Sequence, residues 1–132
     1  MLTNIEKGQF LKLFNRNGYV LDFSTADFDA FTMASAGRAL CKYYLESKGK
    51  SLNAFINEAS DKVCCKLLSD LFEYYELNFE REYKPDSIAS SPQYSYGFKE
   101  DYAKLYRQCK NIINRESHYS SAVRESTAYL KD

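Results

Sequence analysis

Apolar residues recur along this chain at the spacing of helices rather than in the alternation of strands. Thr3-Asn4-Ile5-Glu6 has the spacing of a capping box and predicts a first helix with Ile5, Phe10, Leu13 and Phe14 turned inward. Gly18 suits the end of that helix, since glycine takes a left-handed cap conformation at no cost. Tyr19 to Phe23 is a short extended stretch with no evident pairing partner. Ser24 reads as the next N-cap, with Asp27 three residues on and Phe23 and Phe28 placed for a hydrophobic staple. Phe28 and Phe31 share a face, and Gly37 interrupts. Arg38 to Ser47 reads as a short helix and Lys48-Gly49-Lys50 as a turn, after which Ser51 caps a helix carrying Leu52, Phe55 and Ile56. Ser60 caps the next, whose stripe is Val63, Leu67, Leu68, Leu71, Phe72 and Tyr75.

Beyond Phe79 the periodicity fades. Residues 83–97 hold both prolines and several serines and read as a loop. Phe98, Tyr102, Leu105, Tyr106, Cys109, Ile112 and Ile113 then fall on one helical face, and a final helix runs from about Tyr119 to Leu130 with Val123 inward. The expected fold is all-α, about six helices around one aromatic-rich core, with a short extended segment near residues 19–23. Residues 1–132 form a single helical module. The last helix meets no stop signal, so 118–132 is expected to begin a connection to a further, C-terminal domain.

Composition narrows the function classes. Eighteen basic and eighteen acidic residues balance, which argues against a general polyanion binder. Twelve tyrosines and nine phenylalanines, without tryptophan, favour half-buried and interface positions, because a tyrosine pairs apolar area with a polar tip. Cys41, Cys64, Cys65 and Cys109 contain no C-x-x-C pair, so they read as small core residues of a reduced, cytoplasmic protein rather than as a zinc site. No secretory signal follows Met1, and no stretch has the length of a membrane span.

Several motifs invite chemistry and have plainer explanations. Gly49-Lys50-Ser51 lacks the first glycine of a phosphate-binding loop, since that position is Tyr44, and a turn with a helix cap accounts for it better. Arg115 and His118 are set closer together than the R-x4-H motif of some helical ribonucleases requires, and His118, the single histidine, reads as a polar residue near a helix start. Asp70, Glu73, Glu76 and Glu80 lie at helical spacing and suit a solvated face as well as a Mg²⁺ site, so neither metal nor cofactor is expected. Lys104, Arg107, Asn111 and Asn114 share the polar face of the late helix, and with Tyr94 and Tyr96 nearby they leave single-stranded nucleic-acid contact open.

The run Tyr19-Val20-Leu21-Asp22-Phe23-Ser24, with Phe28 and Phe31, resembles the N-terminal domains of AbiJ-type abortive-infection (phage-defence) proteins. The resemblance continues through Gly49-Lys50-Ser51-Leu52 with Phe55, Lys66-Leu67-Leu68 with Leu71, and Tyr74-Tyr75-Glu76. His118-Tyr119-Ser120-Ser121-Ala122 and Glu125-Ser126-Thr127 look like the stretch leading into that family's second half. The resemblance implies a C-terminal effector domain, similar to HEPN-type ribonuclease domains, that would hold any nuclease activity. This chain would then be the non-catalytic regulatory or protein-interaction half, partnered by that domain or by another defence protein. Tyr94, Tyr96, Tyr119 and Tyr129 are the expected contact residues, because exposed tyrosines dominate interface hot spots. The competing expectation is a nucleic-acid sensor using Lys104 and Arg107.

Overall fold

Local caps set most of the helix starts. In the computed structural model, which describes residues 2–84 and 102–131, and side chains in the last helix as far as residue 116, helix α1 spans Asn4–Phe14. Thr3 and Glu6 form the reciprocal capping box at its start. Ser24 caps α2 (Thr25–Ala36), which ends at Gly37 in the left-handed conformation. Phe23 and Phe28 make the staple across the cap, with ring centroids 5.8 Å apart. Ser60 caps α5 (Asp61–Asn78). Between them lie α3 (Leu40–Tyr44) and α4 (Lys48–Glu58), and after α5 come the single turn α6 (Glu80–Tyr83) and the long α7 (Tyr102–Lys131). The architecture is all-α, with seven helices among the described residues.

Five expectations are corrected. Ile5 points outward and is 77% exposed, while Phe10, Leu13 and Phe14 are fully buried. The extended segment does have a partner: β1 (Asn15–Arg16) pairs antiparallel with β2 (Tyr19–Val20), Asn15 opposite Val20 and Arg16 opposite Tyr19. Gly18 therefore serves a two-residue hairpin turn with Asn17, not a helix end, and both residues have positive φ (55° and 92°), as a primed turn requires. Lys48-Gly49-Lys50 is the first turn of α4 and its cap is Ser47, so Ser51 lies inside the helix, buried, with its hydroxyl donating to the Glu46 carbonyl. The two late helices are one continuous helix, and the gap expected near residue 118 does not exist.

Helix α7 runs antiparallel to α1, since Glu6 meets Arg115 at one end while Arg16, just past α1, meets Tyr102 at the other. Leu105, Cys109 and Ile112 carry its buried face into the core, which α5 lines with Leu67, Leu68, Leu71, Phe72 and Tyr75. Helix α2 packs on α3 and α5, and α3 on α4. Asp29 of α2 accepts the backbone N–H groups of Cys41 and Lys42, satisfying the start of α3, which has no side-chain cap of its own.

The hairpin turn is also a packing surface. The Gly49 N–H donates to the Gly18 carbonyl at 2.9 Å, and a Cβ on residue 49 would crowd the Gly18 Cα at 3.3 Å, whereas a Cβ on residue 18 would meet nothing and glycine is favoured there by its positive φ. Gly18→Ala places a side chain at φ 92° and is expected to cost about 1–2 kcal/mol, a fall in Tm of roughly 3–8 °C by circular dichroism. Gly18→Asn should cost less than Gly18→Ala, because asparagine tolerates left-handed backbone.

The α1–α7 tie predicts a pH response. Arg115 donates to both Glu6 carboxylate oxygens, at 2.6 and 3.0 Å, and that bond, with the Thr3 backbone N–H, holds the Glu6 carboxyl down at about 2. A lowered carboxyl stabilises the fold above its unfolded value near 4.5 and loses that contribution as pH falls toward 2. Glu6→Gln is therefore expected to flatten the dependence of stability on pH over that window, and to leave its shape above neutral pH unchanged, in urea titrations run at stepped pH.

Candidate interaction surface

The described residues draw most of the candidate chemistry into structural contacts. Asp70 binds Lys66 and accepts the Ser35 hydroxyl at 2.5 Å, Glu76 accepts Lys110 at 2.8 Å and the Tyr106 hydroxyl at 2.7 Å, and Glu80 pairs with Lys84 at 3.0 Å. These carboxylates diverge to separate partners, and among the described residues no group of three His, Cys, Asp or Glu could hold a metal ion. The Glu76 carboxyl is held below its usual range by Lys110 and Tyr106, against the opposing effect of burial. Burial pushes the Cys109 thiol up to about 12 and raises those of Cys41, Cys64 and Cys65, which is the reverse of what thiolate chemistry needs. Arg115 is held by Glu6 and Glu116, tying α7 to α1.

Tyr94 and Tyr96 lie outside the described residues. Tyr119, Tyr129 and His118 are on the α7 backbone, with side chains outside the described set. Lys104 and Arg107 are exposed on α7, and Asn111 and Asn114 continue the same polar face. The aromatic residues next to them are used internally. Tyr106 is sandwiched between Phe72 (centroids 5.3 Å) and Tyr83 (3.9 Å), so neither of its faces is open to a base.

A different surface stands out once the helices are packed. Helix α2 is apolar or small on nearly every side: its sequence TADFDAFTMASA has two acids and no base. Phe28 and Thr32 are buried beneath it, yet Ala26, Ala30, Met33 and Ala34 form an exposed stripe on its outer side, with Met33 53% exposed. An apolar stripe along a helix is ordinarily the face it buries. Beside this stripe, α2 and α5 run antiparallel, Ser35 meeting Asp70 and Phe31 meeting Tyr74, and between them lies an open groove of about 420 Å³. Phe31, Ala34, Tyr74 and Leu77 give it an apolar floor, and Leu77 is 73% exposed.

Polar residues frame the groove unevenly. At one end Lys66 is neutralised by Asp70. At the other, the Tyr74 hydroxyl donates to Asp22 at 2.5 Å, and burial together with that carboxylate raises Tyr74 to about 12. Asp27 lies close enough to add to this effect, and Glu73 stands on the lip. Neither Asp27 nor Glu73 has an ion-pair partner among the described residues. Sequence periodicity pointed to Phe28 and Phe31 as an inward stripe and passed over the alanines. The signal was present in the alanines and Met33 on the outer side of α2. Comparison of the chain with protein-family models, with curated proteins and with solved structures finds no match.

Proposed function

We propose that this chain is a non-catalytic regulatory and protein-interaction module, the N-terminal part of a cytoplasmic abortive-infection protein of bacterial antiviral defence. The observation that carries the interaction role is α2, an apolar helix whose outer face is uncovered beside an open groove. Exposed apolar surface of this kind, bordered by charge, marks sites of protein association. The defence setting is supported by the ordered resemblance to AbiJ-type N-terminal domains, spread over most of the chain. No helix among the described residues is long and apolar enough to cross a membrane, which agrees with a partner in the aqueous phase. In this reading the module restrains or positions an effector domain, and cleavage of nucleic acid belongs to the effector.

The test is genetic and biochemical. Removing residues 1–132 from the parent gene is expected to uncouple the effector from phage infection, so that cells either arrest growth without phage or fail to arrest with it. Protection in a plaque assay that is unchanged by the deletion would end this reading, as would magnesium-dependent cleavage by residues 1–132 alone. The exposed Lys104 and Arg107 favour a second reading, nucleic-acid sensing. It requires binding to DNA or RNA that weakens steeply with added salt and is lost on Lys104→Ala with Arg107→Ala. Absence of binding at low salt removes it.

A further inference from the structure

We infer that the α2–α5 groove is the docking site for one amphipathic helix of a partner protein, a helix with an apolar stripe at i, i+4 spacing and Lys or Arg at the end that lies over Asp27 and Glu73. The inference rests on the interaction role proposed above and adds the surface and the chemistry of its ligand.

The shape of the surface selects a helix. Ala34 lines the groove, and Ala30 and Ala26 continue from it at i, i+4 spacing on the exposed side of α2, so another helix backbone can approach closely there, while Phe31, Tyr74 and Leu77 provide the larger apolar contacts. The floor is rigid. Tyr74 stacks on Phe23 at 4.4 Å, meets Phe31 edge-on at 6.0 Å, and is fixed at its hydroxyl by Asp22, so a ligand meets an ordered aromatic platform.

Charge selects the sign and the direction. Lys66 is paired with Asp70, whose carboxylate also accepts the Ser35 hydroxyl, so that end of the groove is near neutral. Asp22 and Asp27 stand near Tyr74, Glu73 lines the groove between Asp70 and Leu77, and among the described residues no cation pairs with any of the three. A helix with acidic residues beside these carboxylates is repelled, and one with basic residues there gains steering as well as contact. Its C-terminal end suits that position best, because lysine and arginine near a helix C-terminus also offset its dipole.

The experiment uses residues 1–132 and two synthetic helices of about 18 residues, long enough for helix to form on a groove of this length. Both carry the same leucine stripe. One ends in lysine and arginine, and its twin ends in glutamate. Fluorescence anisotropy is expected to show the basic peptide binding at least about tenfold more tightly than the twin. Asp27→Lys with Glu73→Lys should invert that preference, and Ala34→Arg, on the exposed lining of the groove, should weaken both peptides by about tenfold or more. Ile5→Glu, on the exposed apolar residue of α1, should change neither. Circular dichroism on each variant establishes that it is folded. Equal affinity for the two peptides overturns the inference. So does binding that survives Ala34→Arg, or a concentration-dependent dimer in sedimentation equilibrium that Ala34→Arg dissolves, since the occupant would then be a second copy. Failure of the interaction role is a separate result: deletion of residues 1–132 would leave protection intact. If deletion abolishes protection but Ala34→Arg in the parent protein does not, the role stands and the groove is not its site.

Discussion

Phe72→Ala is expected to lower the stability of this fold by about 4 kcal/mol, the largest effect of any single substitution proposed for it. Phe72 is 1% exposed and sits where three helices meet. Its ring lies parallel to Tyr106 of α7 with centroids 5.3 Å apart, edge-on to Phe10 of α1 at 6.4 Å, and one turn before Tyr75 of α5. Truncation leaves a cavity lined by rings that are themselves pinned. Tyr106 is held by its bond to Glu76 and its stack on Tyr83, and Tyr75 by its bond to Glu82, so the site can collapse only a little. Incomplete collapse is what places a large-to-small change at the upper end of its range. With a domain of this size marginal by about 5–15 kcal/mol, the loss should appear as a fall in Tm of roughly 12 °C or more. Phe72→Leu retains most of the volume and is expected to cost about 1–1.5 kcal/mol. The chain has no tryptophan, so near-ultraviolet circular dichroism reports its tyrosines, and the loss of the Tyr106 stack should reduce that band while the far-ultraviolet signal persists. A Tm within about 3 °C of the parent would show that the three-helix junction is not the centre of the fold.

What could be read from the sequence follows from the range of the interactions that decide each feature. The starts of α1, α2 and α5 were legible because Thr3, Ser24 and Ser60 act on backbone N–H groups within their own turn. The α5 stripe was legible because a run of that length shows its period plainly. The start of α4 was misplaced by four residues because Gly49 looks like a turn residue, and the reason it is glycine lies on Gly18, far back in the chain. Ile5 matches the apolar period of α1, but the face of that helix is set by where α7 lies. A strand of two residues such as β1 has no period to detect. The interaction surface was the least legible feature. Alanines read as neutral filler in a helix, and only the packed structure shows that the Ala26–Ala34 side has nothing over it among the described residues. The acidic run Asp70, Glu73, Glu76 and Glu80 read as one solvated face, whereas Asp70, Glu76 and Glu80 turn to Lys66, Lys110 and Lys84 separately and leave Glu73, on the groove, without an ion-pair partner among the described residues.

Arg16→Ala is expected to cost about 3 kcal/mol, nearly as much as the loss of a core ring, although arginine is a residue that sequence reading assigns to the surface. Its guanidinium makes a forked pair with Glu82 of α6 at 2.9 and 3.0 Å, donates twice to the Leu13 carbonyl at the end of α1, and lies 4.1 Å from the centre of the Tyr102 ring at the start of α7. One side chain thus joins the hairpin, α1, α6 and α7. The pair is sheltered, with the two side chains only 21% and 11% exposed, so removing one partner strands a charge that water reaches poorly. Glu82 would keep only the Tyr75 hydroxyl, at 3.0 Å, and α6 is a single turn with no cap of its own to hold it in place. Arg16→Lys keeps the charge but loses the fork and the ring contact, and should recover no more than about half of the stability. Removing both charges separates the cost of a stranded ion from the worth of the pair. Arg16→Met with Glu82→Leu should be more stable than Arg16→Ala alone, and adding Tyr75→Phe should recover more, because the Tyr75 hydroxyl is otherwise left buried without an acceptor. Urea denaturation of the three variants gives the comparison. If Arg16→Ala and the double variant are equally stable, the stranded-charge account fails and the effect of Arg16 comes from packing against Tyr102.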